Sequence, residues 1–173
     1  MICPFSKYKK TAHFEKTKIS PSLIVIHYTQ TFSIQKAFSI LQKRKLSAHF
    51  VLDELGKIVQ LVDTENKAWH AGKSHFKGKE NLNNSSIGIE LVNPGFVENK
   101  DQWNFGYTNC LGKKWGNWPD VQIRSLCKLL AWLQKNHPEC VDIVGHSDIS
   151  PGRKIDPGPI FPWEKIKRYM TLQ

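Results

Sequence analysis

The sequence predicts a single α/β domain whose central mixed β-sheet is flanked by helices. Short apolar runs rich in β-branched residues alternate with segments whose apolar residues recur at helical spacing. Two neighbouring apolar runs are separated by a polar turn ending in Gly56, which predicts an antiparallel hairpin. The length of 173 residues fits one domain, and the 40% hydrophobic and 23% charged residues exclude collagen-like, coiled-coil and disordered chains.

The N-terminal part of the chain is expected to lead from an irregular arm into the first strand and helix. Residues 1–20 are basic and polar, so we expect an arm there and the folded domain at 21–173. A buried strand is predicted at 22–28, because a β-branched apolar run ends there in polar residues. Ser33 is a suitable N-cap for a helix that runs to about Lys45.

The middle of the chain is expected to add the hairpin and one more strand. The hairpin is predicted at 48–62 and is followed by a polar, irregular stretch at 63–85. A strand at 86–92 carries Glu90 between apolar neighbours. Residues 93–120 read as a long loop rich in glycine, asparagine and aromatic residues, and loops of this length are usually functional or mobile.

The C-terminal part is expected to contribute two helices and one strand. Residues 121–137 form the best helical pattern in the chain, with Pro138 after its end. A short strand is predicted at 141–146, followed by a loop rich in proline and glycine at 147–162. A terminal helix at 163–170 completes a pattern of mixed strands and helices, which is typical of a sheet covered by helices.

The chain is strongly basic, with 25 Lys and Arg against 15 Asp and Glu and a net charge of +10. Such a charge attracts polyanions, which leaves nucleic acid, anionic lipid and an acidic cell-wall polymer open. The longest plain apolar run is only residues 23–26, whereas a membrane-spanning helix needs about 20 residues, so no transmembrane segment is expected. The start of the chain lacks the apolar stretch of a secretory signal, so we expect a cytosolic protein or one whose leader has been removed.

The four cysteines are expected to be free thiols. They are scattered, and none forms a Cys-x-x-Cys pair or has the spacing of a zinc finger. Free thiols favour a reducing compartment.

Two histidines and one aspartate are candidate metal ligands. His27 and His146 each stand where an apolar strand runs out, and Asp156 follows in a loop stiffened by prolines. Two imidazoles and a carboxylate that leave a fourth position open are typical of catalytic zinc. The spacing alone is also compatible with isolated structural histidines.

Glu90 and Lys154 are candidate catalytic groups beside that metal. A carboxylate among apolar strand residues must be partnered or have a shifted pKa, because burying an ion alone is costly. Near a metal it would suit a general base, and a salt bridge to a lysine is the structural alternative. Lys154 precedes Asp156 by two residues, which suits stabilisation of an oxyanion, although a solvated surface lysine fits the sequence equally.

Five segments of the chain carry a resemblance to a known family. They are residues 24–28, 47–50, 68–72, 86–91 and 145–159, and they come in the order in which that family has them. On these segments the chain resembles the zinc-dependent N-acetylmuramoyl-L-alanine amidases of the type 2 amidase family, whose fold is shared with peptidoglycan recognition proteins and the T7-type phage lysozyme.

The resemblance implies an activity and roles for the candidate residues. It assigns one zinc ion per chain to His27, His146 and Asp156, proton transfer to Glu90 and oxyanion stabilisation to Lys154. The implied reaction is hydrolysis of the amide bond between N-acetylmuramic acid, or its 1,6-anhydro form, and L-alanine of the stem peptide, in peptidoglycan or its fragments. The implied roles are bacterial cell-wall turnover and muropeptide recycling.

The resemblance also implies a set of substrate-binding positions. Trp69 and Lys45 match residues of the AmpD branch that contact substrate, while Asn81 stands where that branch has arginine. His49 falls in a matching segment but is expected to be a hydrogen-bonded structural residue. The substrate-binding candidates are Tyr28, Lys45, Trp69, His70 and Asn81.

Alternatives remain open at the level of the sequence. A non-catalytic peptidoglycan-binding module of the same fold is the main one, whereas no helix-turn-helix, RNP or zinc-knuckle pattern supports nucleic-acid binding. We expect a monomer that binds muropeptides, in the bacterial cytoplasm as in the AmpD branch or in the periplasm as in the AmiD branch. Cys3 is a candidate for lipidation. The aromatic residues of 93–118 are expected either to stack on sugar rings or to form a hydrophobic cluster.

Overall fold

The computed structural model describes residues 1–97 and 103–171. Within these ranges the chain forms twelve strands, four α-helices and one 3-10 helix at Leu82–Asn84. The strands are β1 (Lys7–Tyr8), β2 (Phe14–Lys18), β3 (Leu23–Tyr28), β4 (Phe50–Leu52), β5 (Ile58–Gln60), β6 (Asn66–Ala68), β7 (His75–Phe76), β8 (Lys79–Glu80), β9 (Ser86–Leu91), β10 (Tyr107–Cys110), β11 (Lys113–Gly116) and β12 (Asp142–Gly145). The α-helices are α1 (Ile34–Lys43), α2 (Asp120–Asn136), α3 (His146–Ile149) and α4 (Trp163–Thr171).

A six-stranded mixed sheet lies at the centre, in the order β1-β5-β4-β9-β3-β12. The strands β4, β9, β3 and β12 are parallel neighbours, while β5 runs antiparallel to β4 and forms the predicted hairpin with it. The prediction of a mixed sheet flanked by helices is therefore confirmed. Because β3, β9 and β12 are parallel, their carboxyl ends lie at one edge of the sheet.

The two faces of the sheet are covered by different helices. Alternate residues of β3 and β9, such as Ile24 and Ile89, pack with Leu126 and Leu130 of α2. The opposite face receives the apolar side of α1, where Phe38 and its helical neighbours meet the buried strand residues Val51 and Val59. Ser33 accepts a hydrogen bond from the backbone of the first turn of α1, as the N-cap prediction requires.

The prediction of an irregular N-terminal arm is wrong. β1 pairs with β5 and β2 pairs with β6, so this segment belongs to the folded unit. Most residues of β2 are charged, because the strand is largely exposed to solvent. The sequence therefore shows no alternating apolar pattern from which this strand could be predicted. Cys3 is buried at 1% exposure, and its backbone N–H donates to the Gln60 side chain. A thiol packed in the core is not placed to carry a lipid.

Three stretches that the sequence predicted as irregular contain regular structure. Residues 63–85 hold three short strands and the 3-10 helix, and the loop after Gly145 opens with α3. Within the predicted loop 93–120, β10 and β11 form a hairpin whose central residues Leu111 and Gly112 both have positive φ. Leucine seldom adopts that conformation, which is why no turn was predicted. Residues 98–102 of this loop lie outside the described residues.

The described aromatic residues of the same loop pack inward at two points. Trp103 and Trp115 are buried, and Trp115 contacts the ring of Phe96 and fills the space that a side chain at Gly158 would occupy. This supports the interpretation of a hydrophobic cluster.

All four cysteines are free thiols, as predicted. Among the helices within the described ranges, none is long and apolar enough to cross a bilayer.

Candidate metal centre and catalytic cleft

The ends of two adjacent parallel strands bring the predicted ligands together. His27 is the penultimate residue of β3, and His146 follows β12 directly as the first residue of α3. The pairing of Ile26 with Gly145 places the two histidines side by side at the sheet edge. The N–H of Ser147 donates to the carbonyl of Asp156 at 2.9 Å, which folds the following loop back onto the histidines.

The ligand atoms of the three residues form a compact triangle. His27 Nδ1 lies 2.9 Å from His146 Nδ1, and each of these nitrogens lies 3.1 Å from Asp156 Oδ2. Tetrahedral zinc with bonds of about 2.0–2.1 Å separates its ligand atoms by roughly 3.3 Å, so the triangle approximates one face of such a tetrahedron. All three side chains are buried. The structure thus assembles a group of residues that can hold a metal ion.

The outer nitrogen of His146 fixes the tautomer of that ring. His146 Nε2 lies 3.0 Å from the carbonyl oxygen of Ala71, which can only accept a hydrogen bond. The proton of the neutral ring therefore sits on Nε2, and Nδ1 presents a lone pair to the triangle.

A relay of hydrogen bonds fixes the tautomer of His27 in the same way. The hydroxyl of Ser86 donates to the Leu82 carbonyl at 2.6 Å, so it accepts from His70 Nε2, which lies 3.3 Å away. His70 Nδ1 then accepts from His27 Nε2 at 3.0 Å. The lone pair of His27 Nδ1 consequently faces the triangle as well. His70 thus orients the candidate ligand His27 from behind it.

The electrostatics of the triangle suit a cation. Burial lowers the pKa of His27 to about 4, so its ring is neutral at physiological pH, which is the form that binds metals. With both ring protons on the outer nitrogens, two nitrogen lone pairs and a carboxylate oxygen face one another about 3 Å apart, and a metal ion would satisfy all three.

Glu90 and Lys154 lie beside the triangle. Glu90 pairs with His27 across β9 and β3, and its Oε2 is a buried atom without a hydrogen-bond partner among the described residues. Burial raises the pKa of Glu90 well above its ordinary value, the negative charge of Asp156 adds to this, and Lys154 opposes it. A salt bridge between Glu90 and a lysine is not formed within the described part of the chain.

The triangle lies in a cavity of about 310 Å³, which three of the five predicted substrate-binding residues line. These are Tyr28, Trp69 and His70. Lys45 is exposed at the end of α1 and does not line the cavity, whereas its neighbours Arg44 and Leu46 do.

Asn81 adopts a left-handed conformation before the 3-10 helix and also lies outside the cavity lining. Substrate contacts by Lys45 and Asn81 stay predictions.

The interpretation of His49 as a structural residue agrees with its contacts. Its Nε2 donates to the Asn66 carbonyl at 2.9 Å, and its Nδ1 accepts from the Gly88 N–H at 3.0 Å. Two arginines of the cavity, Arg44 and Arg153, were not singled out from the sequence. A basic residue in so basic a chain carries no distinguishing signal, and only the fold shows which ones face the cleft.

A mixed α/β fold with a buried His-His-Asp group beside an unpartnered carboxylate has the arrangement of a metal-dependent hydrolase. The family model described as N-acetylmuramoyl-L-alanine amidase matches residues 17–159, and the chain belongs to this family. The predicted resemblance is thereby confirmed.

Individual relatives agree with this assignment. The chain is 34% identical to the 1,6-anhydro-N-acetylmuramyl-L-alanine amidase AmpD of Haemophilus influenzae, over 90% of this chain and 87% of that protein. It is 34% identical to the N-acetylmuramoyl-L-alanine amidase AmiD of Escherichia coli over 83% of this chain, but it spans only 51% of AmiD. The structure of E. coli AmiD with the substrate anhydro-N-acetylmuramic acid-L-Ala-D-γ-Glu-L-Lys superposes with a TM-score of 0.72 at 30% identity, covering 94% of this chain and 60% of the chain in that structure.

Proposed function

We propose that this protein is a zinc-dependent amidase that hydrolyses the bond between N-acetylmuramic acid, or its 1,6-anhydro form, and L-alanine of the stem peptide. The observation that carries the proposal is the buried His27–His146–Asp156 triangle with the unpartnered Glu90 carboxylate next to it. The names of the relatives AmpD and AmiD support this bond as the one that is cut. The substrate is peptidoglycan or its fragments, in a bacterial cell.

Zinc is the metal that fits the donor set best. Two neutral imidazoles and one carboxylate with a free fourth position are typical of catalytic zinc sites, whereas magnesium and calcium prefer oxygen ligands alone. One ion per chain fits the triangle. A zinc ion held there supplies a Lewis acid that polarises the scissile carbonyl and lowers the pKa of a water molecule to about 7.

Glu90 is the proposed proton carrier. It stands on the same face of the sheet as His27 and keeps one carboxylate oxygen free of other partners. We propose that this oxygen takes a proton from the attacking water and later gives it to the leaving amine of L-alanine. Burial raises the pKa of Glu90, so its carboxylate is a stronger base than an exposed one and is suited to accept the proton.

Lys154 and the cavity walls are proposed to hold the substrate during this step. Lys154 lines the cavity two residues before Asp156, where its ammonium group would stabilise negative charge that develops on the lactyl carbonyl oxygen. Tyr28, Trp69 and His70 line the same cavity, although His70 already serves His27. The net charge of +10 favours stem peptides, which carry several carboxylates. All proposed catalytic groups come from one chain, so a monomer suffices.

The test is digestion of a purified anhydro-muropeptide in water enriched in 18O, followed by mass spectrometry of both products. We expect a free stem peptide and one 18O atom in the lactyl carboxylate of the sugar, because water attacks that carbonyl. A chelator should abolish the reaction, and zinc should restore it. If the zinc-loaded protein binds the substrate but leaves it uncut, the protein is a non-catalytic binding module. If 18O appears in the peptide, the enzyme cleaves another amide bond.

A further inference from the structure

The guanidinium group of Arg153 occupies the space behind the candidate metal ligand His146. Arg153 Nη2 donates to the carbonyl oxygen of Ala71 at 2.8 Å and to that of Lys73 at 2.7 Å. It also lies 2.6 Å from the hydroxyl of Ser150, which in turn donates to the Lys73 carbonyl at 2.7 Å. One nitrogen of the arginine thus joins two segments that are about 80 residues apart in the chain.

The backbone of residues 71–73 is shaped to receive this group. Gly72 has a φ of +60°, and a Cβ atom on it would stand 3.5 Å from the guanidinium of Arg153. This left-handed conformation, which glycine adopts readily, lets the carbonyls on both sides of Gly72 point at the same nitrogen. The arginine and the glycine therefore fit each other as a unit.

The Ala71 carbonyl links this unit to the metal centre. It accepts from Arg153 and also from His146 Nε2 at 3.0 Å, so the position of that oxygen sets the direction of the imidazole. Arg153 Nη2 also lies 3.4 Å from His146 Nε2, but two N–H groups cannot bond to each other, so the shared carbonyl is the link between them. Residues behind a metal ligand commonly fix its orientation and tautomer in this way. If the Ala71 carbonyl moved, His146 Nδ1 would leave the triangle that it forms with His27 and Asp156.

We propose that Arg153 is a positioning residue for the metal centre, which acts on His146 through the carbonyl of Ala71. The inference rests on the proposed function, because it assumes that the triangle holds zinc. Arginine suits the task because its planar guanidinium presents several donors in a fixed arrangement, whereas lysine presents a single flexible ammonium. The N–H groups of Arg153 and Lys154 both donate to the Ser150 carbonyl, so the same turn also fixes the backbone of Lys154.

The test compares Arg153→Met and Arg153→Lys with Arg44→Met in the full chain. Arg44 lines the same cavity but has no contact with the Ala71 carbonyl within the described residues, so it is the matched control for zinc binding. Zinc affinity is measured by competition with a chromophoric chelator, and ligand geometry by the visible spectrum of the cobalt-substituted protein. Neither readout needs substrate.

For Arg153→Met we expect zinc affinity to fall by about 10–100-fold, with an altered cobalt spectrum. At saturating zinc, kcat should fall while KM stays within a few-fold of wild type. Arg153→Lys should recover only part of the affinity, because it keeps the charge and loses the planar donors. Arg44→Met should bind zinc as the wild type does, since no hydrogen bond among the described residues joins Arg44 to His146.

Unchanged zinc affinity in folded Arg153→Met would overturn the proposal, and a raised KM beside it would make Arg153 a substrate contact. If Arg153→Met fails to fold, the zinc affinities of Ser150→Ala and Arg153→Lys test the proposal in its place. Wild-type zinc affinity in both of these variants would also overturn the proposal. The proposed function fails separately, when wild-type protein with bound zinc leaves the muropeptide intact. Zinc affinities of the variants remain informative in that case.

Discussion

Glu90 is the direct cross-strand neighbour of His27 in the parallel pair of β9 and β3. Directly opposed residues of a sheet point to the same face, so the carboxylate and the imidazole share one side of the sheet at its carboxyl edge. The neighbouring pair Ile26 and Ile89 points to the other face and packs in the core. Strand register therefore places the proposed proton carrier beside a proposed metal ligand without any help from a flexible loop.

Glu90→Gln should separate metal binding from catalysis. Glutamine keeps the shape of the side chain but cannot carry the proton, so we expect normal zinc content and a rate lowered by about two to four orders of magnitude. Metal analysis and muropeptide turnover on the same preparation measure both effects. An unchanged rate would remove Glu90 from the reaction.

Asp156→Ala should abolish zinc binding and activity together. The substitution removes one corner of the triangle and leaves His27 Nδ1 and His146 Nδ1 facing each other at 2.9 Å without the carboxylate. We expect sub-stoichiometric zinc after dialysis and loss of turnover, measured on protein whose circular dichroism matches the wild type. Full activity with normal zinc would show that Asp156 is not a ligand.

His70→Leu should weaken zinc binding although His70 does not belong to the triangle. The variant removes the hydrogen-bond acceptor for His27 Nε2, so neither the tautomer nor the orientation of the His27 ring is fixed any longer. We expect zinc affinity to fall by about 10–100-fold. His70→Asn keeps an acceptor oxygen and serves as the matched control with a smaller loss. Equal zinc affinity in His70→Leu and wild type would contradict the relay.

The candidate site residues could be singled out from the sequence because their signals are local, and the family resemblance supplied their proposed roles. A polar residue that ends or interrupts an apolar strand stands out, as His27 and Glu90 do. The Arg153 contacts had no such signal, because they depend on the positive φ of Gly72 and on two segments that only the fold brings together. The exposed strand β2 could not be predicted from the sequence for a related reason. It has no buried apolar face, so the two-residue alternation of a strand is not visible in its sequence.

His49 should make the stability of the protein depend on pH. Burial lowers its pKa to about 4, whereas in the unfolded chain it is about 6.5, so the unfolded chain binds the proton first as the pH falls. This contribution to stability is fully present above about pH 6.5 and is lost as the pH falls towards 4. The shift corresponds to at most about 3 kcal/mol.

The measurement is urea unfolding of wild type and His49→Gln at about pH 7.5 and pH 5 in the presence of chelator. Glutamine removes the titrating group, so the free energy of unfolding should fall less with acidification in the variant. Buried histidines whose pKa does not depend on His49, such as His27, contribute to both proteins and cancel in the comparison. The same pH dependence in both would contradict the role given to His49.

The most direct test of the central claim is a titration of metal-free protein with zinc, in which bound metal and muropeptide cleavage are followed together. We expect activity to rise in proportion to bound zinc and to reach its plateau at one ion per chain, with cleavage only at the bond to L-alanine. Cleavage by the metal-free protein, or a protein that binds one zinc and leaves the muropeptide intact, would contradict the claim.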